Sequence, residues 1–178
     1  TASTGVLAGT PLNADVGDNS VVITVSDGTT SVTDSFTIAV ANTNDAPTIT
    51  STAVTSVDED ATYTYTVTAA DVDSGDTLTM TGTTVPSWAT FTASTGVLAG
   101  TPLNADVGDN SVVITVSDGT ASVTDSFTIA VANANDAPTI TSTAVLTATE
   151  DSAYTYTVTA SDADSDTLTM TGTTVPSW

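Results

Sequence analysis

Apolar and hydroxyl-bearing positions alternate with a period of two along most of the chain. In Thr62-Tyr63-Thr64-Tyr65-Thr66-Val67-Thr68, Tyr and Val alternate with Thr, the pattern of a strand buried on one face. Ser126-Phe127-Thr128-Ile129-Ala130-Val131 repeats it, as do Val112, Ile114 and Val116. Thr makes up about a quarter of the residues, which suits β-branched side chains on a solvent-facing pleat. Turn-forming clusters divide these runs: Ser94-Thr95-Gly96, Gly108-Asp109-Asn110 and Asp118-Gly119. No segment carries helical periodicity, so the pattern predicts an all-β chain of short strands.

The strands recur at long range. Thr1–Ala46 returns as Thr92–Ala137 with changes only at Thr30/Ala121 and Thr43/Ala134. Pro47–Trp88 returns more loosely as Pro138–Trp178, with no counterpart to Gly75. Asn-Asp-Ala-Pro at 44–47 and 135–138 is the natural boundary, because Pro resists continuing a strand and the Asn-Asp pair favours a turn. The expected organisation is the back half of one repeat (1–46), a complete repeat (47–137) and the front half of a third (138–178). The chain then reads as a window on a longer polymer of repeats. About seven short strands in each repeat, around one Trp, predict tandem Greek-key β-sandwiches of immunoglobulin type arranged as a rod or fibre. Trp88, Phe91, Tyr63, Tyr65, Phe127 and Ile129 are the expected core.

Charge sharpens this picture. The chain has no Lys, Arg, His or Cys, 21 Asp plus Glu, and a formal charge of −21. Without cations it cannot grip phosphates, so nucleic acid and anionic membrane surfaces are excluded as partners. There is no His or Lys base, no Cys nucleophile and no nitrogen or sulfur ligand for zinc. The hydrophobic fraction of 39% and its ordered placement argue against disorder. With neither a disulfide nor an internal salt bridge available, a divalent cation is the remaining staple. No charged-then-apolar leader and no membrane-length apolar run is present, and no Asn-x-Ser/Thr sequon occurs.

The acids sit in an order that suits calcium, which needs six to eight oxygen ligands. The linker Asn42-x-Asn44-Asp45-Ala46-Pro47 recurs as Asn133-x-Asn135-Asp136-Ala137-Pro138. Glu59 (Glu150 in the next copy) follows, then Asp71-Val72-Asp73-Ser74-Gly75-Asp76, with Asp162 and Asp164 as the later equivalents. Asn104-Ala105-Asp106 and Asp118-Gly119 complete the set, and Asp15 is the earlier copy of Asp106. Asp71–Asp76 alone is no EF-hand, since its glycine falls one place early and Gly82 stands where a bidentate Glu is required.

Taken together, these motifs resemble the bacterial cadherin-like (dystroglycan-type) and Ig-like repeats of large surface adhesins, and the resemblance runs the length of the chain. Thr95-Gly96-Val97-Leu98-Ala99-Gly100-Thr101-Pro102 resembles the Thr-Gly-x-Ile/Leu-x-Gly-Thr-Pro motif of those repeats. The linker resembles Asp-x-Asn-Asp-Asn-Ala-Pro of cadherins, and Asp71-x-Asp73 their paired aspartates. The resemblance implies Ca2+ bound between consecutive modules. Its ligands would be Glu59, Asp15 and Asp106 from the module before a linker and Asn44, Asp45, Asn135 and Asp136 in the linkers. Asp71, Asp73, Asp118, Asp162 and Asp164 would come from the module after. Asn42 and Asn133, and likewise Asn104, stand where the family has aspartates, so each joint has lost two carboxylates and should bind more weakly or hold fewer ions.

Asp18, Asp34, Asp109 and Asp125 fall outside that pattern and are expected to be solvated surface charge. Paired acids can also make a glycosidase, but end-loops repeated nearly verbatim along a rod are poor material for a catalytic cleft. The expected function is a non-catalytic, extracellular, cell-surface repeat array: a calcium-rigidified adhesin stalk. The alternatives are a self-assembling filament subunit and a polysaccharide-binding module. The partners are then neighbouring repeats of the same chain, like chains in a filament, or a cell-surface or polysaccharide ligand.

Overall fold

The computed structural model describes residues 5–177. It is all-β, and the described residues contain strands and two single-turn 3-10 segments (Asn13–Asp15 and Asn104–Asp106) but no α-helix. None of its helices is therefore long and apolar enough to cross a membrane.

The first element pair is a hairpin, β1 (Gly17–Ser26) and β2 (Ser31–Val40), in continuous antiparallel register from Gly17↔Val40 to Ser26↔Ser31. Residues 47–137 contribute β3 (Thr48–Ile49), β4 (Ser56–Asp58), β5 (Tyr63–Thr66), β6 (Ala69–Ala70), β7 (Thr79–Thr84), β8 (Ala89–Thr92), β9 (Val97–Gly100), β10 (Gly108–Ser117) and β11 (Ser122–Ala132). One sheet has the order β4-β11-β10-β7 and the facing one β5-β9-β8, with β3 and β6 forming a small ribbon. β4 runs parallel to β11, whereas the other pairings are antiparallel. In the third unit, β12 (Thr139–Ile140) pairs with β13 (Ala160–Ser161) as β3 pairs with β6.

The period-two pattern becomes the core. Tyr63, Tyr65, Val67 and Leu98 point inward from one sheet and Val112, Ile114, Val116, Ile129 and Val131 from the other, all buried. Trp88, Phe91 and Phe127 border this cluster and are half-buried. Two edge-to-face pairs lock the aromatics: Tyr63–Trp88 at 5.7 Å and Tyr65–Phe127 at 5.5 Å between ring centroids. The Trp88 indole N–H donates to Asn110 Oδ1 at 3.0 Å, which satisfies its polar edge. Gly96 turns the chain with φ +69°, and a Cβ there would lie 2.5 Å from the Val67 carbonyl oxygen, so the motif glycine is required sterically.

Burial depends on the second sheet. Ile114, held between the two sheets, is 0% exposed.

Asp125 is not the solvated surface charge expected of it. It lies opposite Ile114 in the β10–β11 register and so projects to the inner side. There it accepts a hydrogen bond of 3.0 Å from the Tyr65 hydroxyl, which also lies 2.9 Å from Ser51 Oγ. Strand alternation, not residue type, sets its environment.

Candidate metal centre

Most acids of the complete module collect at its two ends. At the end facing linker 42–47, the β6–β7 loop supplies Asp71, Asp73 and Asp76, and the β10–β11 turn supplies Asp118. Asp71, Asp76 and Asp118 each offer a carboxylate oxygen, and these oxygens lie within 4.8 Å of one another. Asp73 Oδ2 accepts the Asp45 backbone N–H at 2.6 Å, and Asp71 Oδ1 accepts that of Asp73 at 2.8 Å. Asp118 Oδ1 is held by the backbone N–H groups of Thr120 and Ala121, both at 2.6 Å, which leaves Oδ2 to accept the Asn44 amide at 3.0 Å. These donors hold the Asp118 carboxyl below its ordinary range, the Ala121 and Thr120 amides first. Asp76 is shifted the other way, by lost solvation first and then by the negative charges of Asp71, Asp73 and Asp118.

At the opposite end, Glu59 lies under the exit of β11. Its N–H bonds the Ala132 carbonyl at 2.9 Å, and its Oε1 accepts the Ala134 N–H at 2.8 Å. Beyond linker 133–138, Asp162, Asp164 and Asp166 form a second carboxylate group within 4.8 Å. Asp164 Oδ2 accepts the Asp136 N–H at 2.6 Å, repeating the Asp73–Asp45 contact. The loop here is shorter because Gly75 has no equivalent. Ser165 takes φ 62° in its place, and Asp162 Oδ1 accepts the N–H groups of Asp164 and Asp166 at 3.0 and 3.4 Å.

The expected ligands are thus only partly brought together. Asp71 with Asp118, and Asp162 with Asp164, fall in the two carboxylate groups. Asp73, Asp45, Asn44 and Asp136 attach to those groups by hydrogen bonds. Glu59 stands apart beneath the linker. Asn135 donates to the Asp136 carbonyl at 2.8 Å. Asp15 and Asp106 spend one oxygen each on their own 3-10 turns, accepting Leu12 N–H at 2.8 Å and Leu103 N–H at 2.9 Å. Asp76 and Asp166 join the groups without having been singled out, because the looser sequence match around Gly75 obscured their shared position. Proximity of both to an Asp-x-Asp pair was the available signal.

The donor set fits a hard cation. Three carboxylate oxygens, Glu59 Oε2, Asp71 Oδ2 and Asp73 Oδ1, are buried without a hydrogen-bond partner. Asp73 is 5% exposed and Glu59 3%. Burying an ionised carboxylate costs several kcal/mol, about as much as a pairing charge must return. This chain has no Lys, Arg or His to return it. Carboxylate, amide and backbone oxygens match Ca2+ or Mg2+ and not a thiolate- or imidazole-seeking metal.

The two facing sheets form an immunoglobulin-like β-sandwich. Residues 46–132 match the family model He_PIG, described as Putative Ig domain, in agreement with the Ig-like sandwich. No curated protein matches the chain. Among solved structures, the chain is similar to the endo-fucoidan hydrolase MfFcnA4 of glycoside hydrolase family 107, at 34% identity over 71% of this chain with a TM-score of 0.45. It is also similar to MfFcnA9 of the same family, at 25% identity over 69% with a TM-score of 0.39. The chain spans 20% and 23% of those two proteins.

Proposed function

We propose that the chain is a segment of a non-catalytic extracellular array in which calcium clamps consecutive Ig-like modules into the stiff stalk of a microbial surface adhesin. The observation that carries this is the set of unpartnered, buried carboxylate oxygens of Glu59, Asp71 and Asp73 at module ends, in a chain without a single cationic side chain. A carboxylate so placed must be matched by a cation from outside. Because the groups adjoin the linkers, a cation there would draw together residues on both sides of a joint: Asn44 and Asp45 with Asp71, Asp73 and Asp118. The expected weak affinity, about 10⁻⁴–10⁻³ M for extracellular modules, still permits occupancy at extracellular calcium levels.

The sandwich serves this purpose by keeping the two ends a fixed distance apart. Its buried core fixes loop positions, and the loops carry the ligands. Calcium binding is tested by thermal unfolding and small-angle scattering of tandem repeats with calcium and with chelator. A higher melting temperature and a longer, stiffer particle in calcium support the reading. Indifference of both to millimolar calcium removes it.

A further inference from the structure

Asn13 and Asn104 occupy the same place in successive repeats, at the start of identical 3-10 turns. In each turn the following acid, Asp15 or Asp106, folds back onto its own backbone. The asparagine instead reaches out of its turn, Asn13 to the linker and Asn104 to the following repeat. Asn13 Nδ2 donates to Asp45 Oδ2 at 2.7 Å, and Asn104 Nδ2 donates to Asp164 Oδ1 at 2.9 Å. The first contact continues forward, the Asp45 N–H meeting Asp73 Oδ2, whereas the second already ends in the following repeat and is tied back to the connecting segment, the far oxygen of Asp164 taking the Asp136 N–H, both at 2.6 Å. Protein hydrogen bonds therefore tie a repeat, the connecting segment and the following repeat together at both places, in the order Asn13–Asp45–Asp73 at the first and Asn104–Asp164–Asp136 at the second.

We propose that Asn13 and Asn104 are positioning residues that hold each joint assembled before any cation binds. An amide is the side chain of aspartate's shape that can donate to a carboxylate. An aspartate in its place would donate nothing and would set a second negative charge against Asp45 or Asp164. The amide thus gives the joint a basic geometry held by protein groups alone. Calcium then reinforces a preformed arrangement, which spares it the ordering of two loose modules. This second step rests on the function proposed above; the amide contacts do not.

The test uses the whole chain with spin labels on Ser126→Cys and Thr157→Cys, which is free of competing thiols. The interlabel distance distribution is recorded in chelator and in calcium for the parent, Asn104→Ala and Asn104→Asp. The parent should be narrow in both conditions, and Asn104→Ala broader in both. Asn104→Asp should broaden in chelator, return to parental width in calcium, and bind calcium about tenfold more tightly, since ligand charge sets affinity. That crossover is not produced by a merely structural defect. Parental widths in chelator for both variants would overturn the proposal, and Asn13→Ala and Asn13→Asp with labels across the first joint provide an independent second test. If both Asn104 variants broaden in chelator while calcium affects no chain, the amide clamp stands and the cation site fails.

Discussion

Replacing Asp73 by Asn should change the sign of its effect with calcium. The side chain is buried, one oxygen accepts the Asp45 N–H at 2.6 Å, and the other has no protein partner. In chelator the substitution keeps an oxygen for Asp45 and removes one of several crowded negative charges. The variant should then melt at or above the parental temperature. In calcium at about a hundred times Kd, binding adds about 2.7 kcal/mol to the parent. Losing one carboxylate ligand, with a roughly tenfold weaker site, removes about 1.3 kcal/mol of that, and complete loss of binding removes all of it. For a module of this size each kcal/mol moves the midpoint by about 4–8 °C, so the variant should melt roughly 5–20 °C below the parent in calcium. Calorimetry in the two buffers measures both differences. Equal losses in calcium and in chelator would refute the assignment, because they would mean that Asp73 acts only through its bond to the linker.

Other substitutions probe the scaffold. Ile114→Ala should cost about 2–5 kcal/mol by denaturant midpoint, since Ile114 is wholly enclosed between the two sheets. Gly96→Ala should be far more damaging than Gly119→Ala. Both have positive φ, costing about 1–2 kcal/mol for an L side chain, but only at Gly96 does the added carbon strike backbone. Refolding yield and chemical denaturation distinguish them. Burial, with smaller contributions from Tyr65 and Asp125, pushes the Tyr63 phenol up from 10.0 to about 12. Its neutral form is therefore the one the fold favours. The stabilisation is complete below pH 10 and lost as pH rises through 12. Tyrosinate absorbance should show the Tyr63 phenol ionising late and together with unfolding, with Tyr65 also displaced upward by burial.

Alternating Tyr, Val and Ile with Thr determined the strands, because side-chain period is a local property. The inward set Tyr63, Tyr65 and Ile129 was legible for the same reason. Trp88, Phe91 and Phe127 were legible as packed residues but not as border ones, since depth depends on which sheet lies opposite. Residue type and order also marked Asp71, Asp73 and Asp118 for cation chemistry. Only the tertiary structure decided that Asp76 and Asp166 share those groups, that Asp106 is tied to its own turn, and that Asp125 faces inward to Tyr65. The same is true of Asn104, a missing carboxylate in the sequence and a hydrogen-bond donor across the joint in the fold. The Tyr65–Asp125 and Asn104–Asp164 pairings each join residues 60 positions apart, and no local pattern encodes such a meeting.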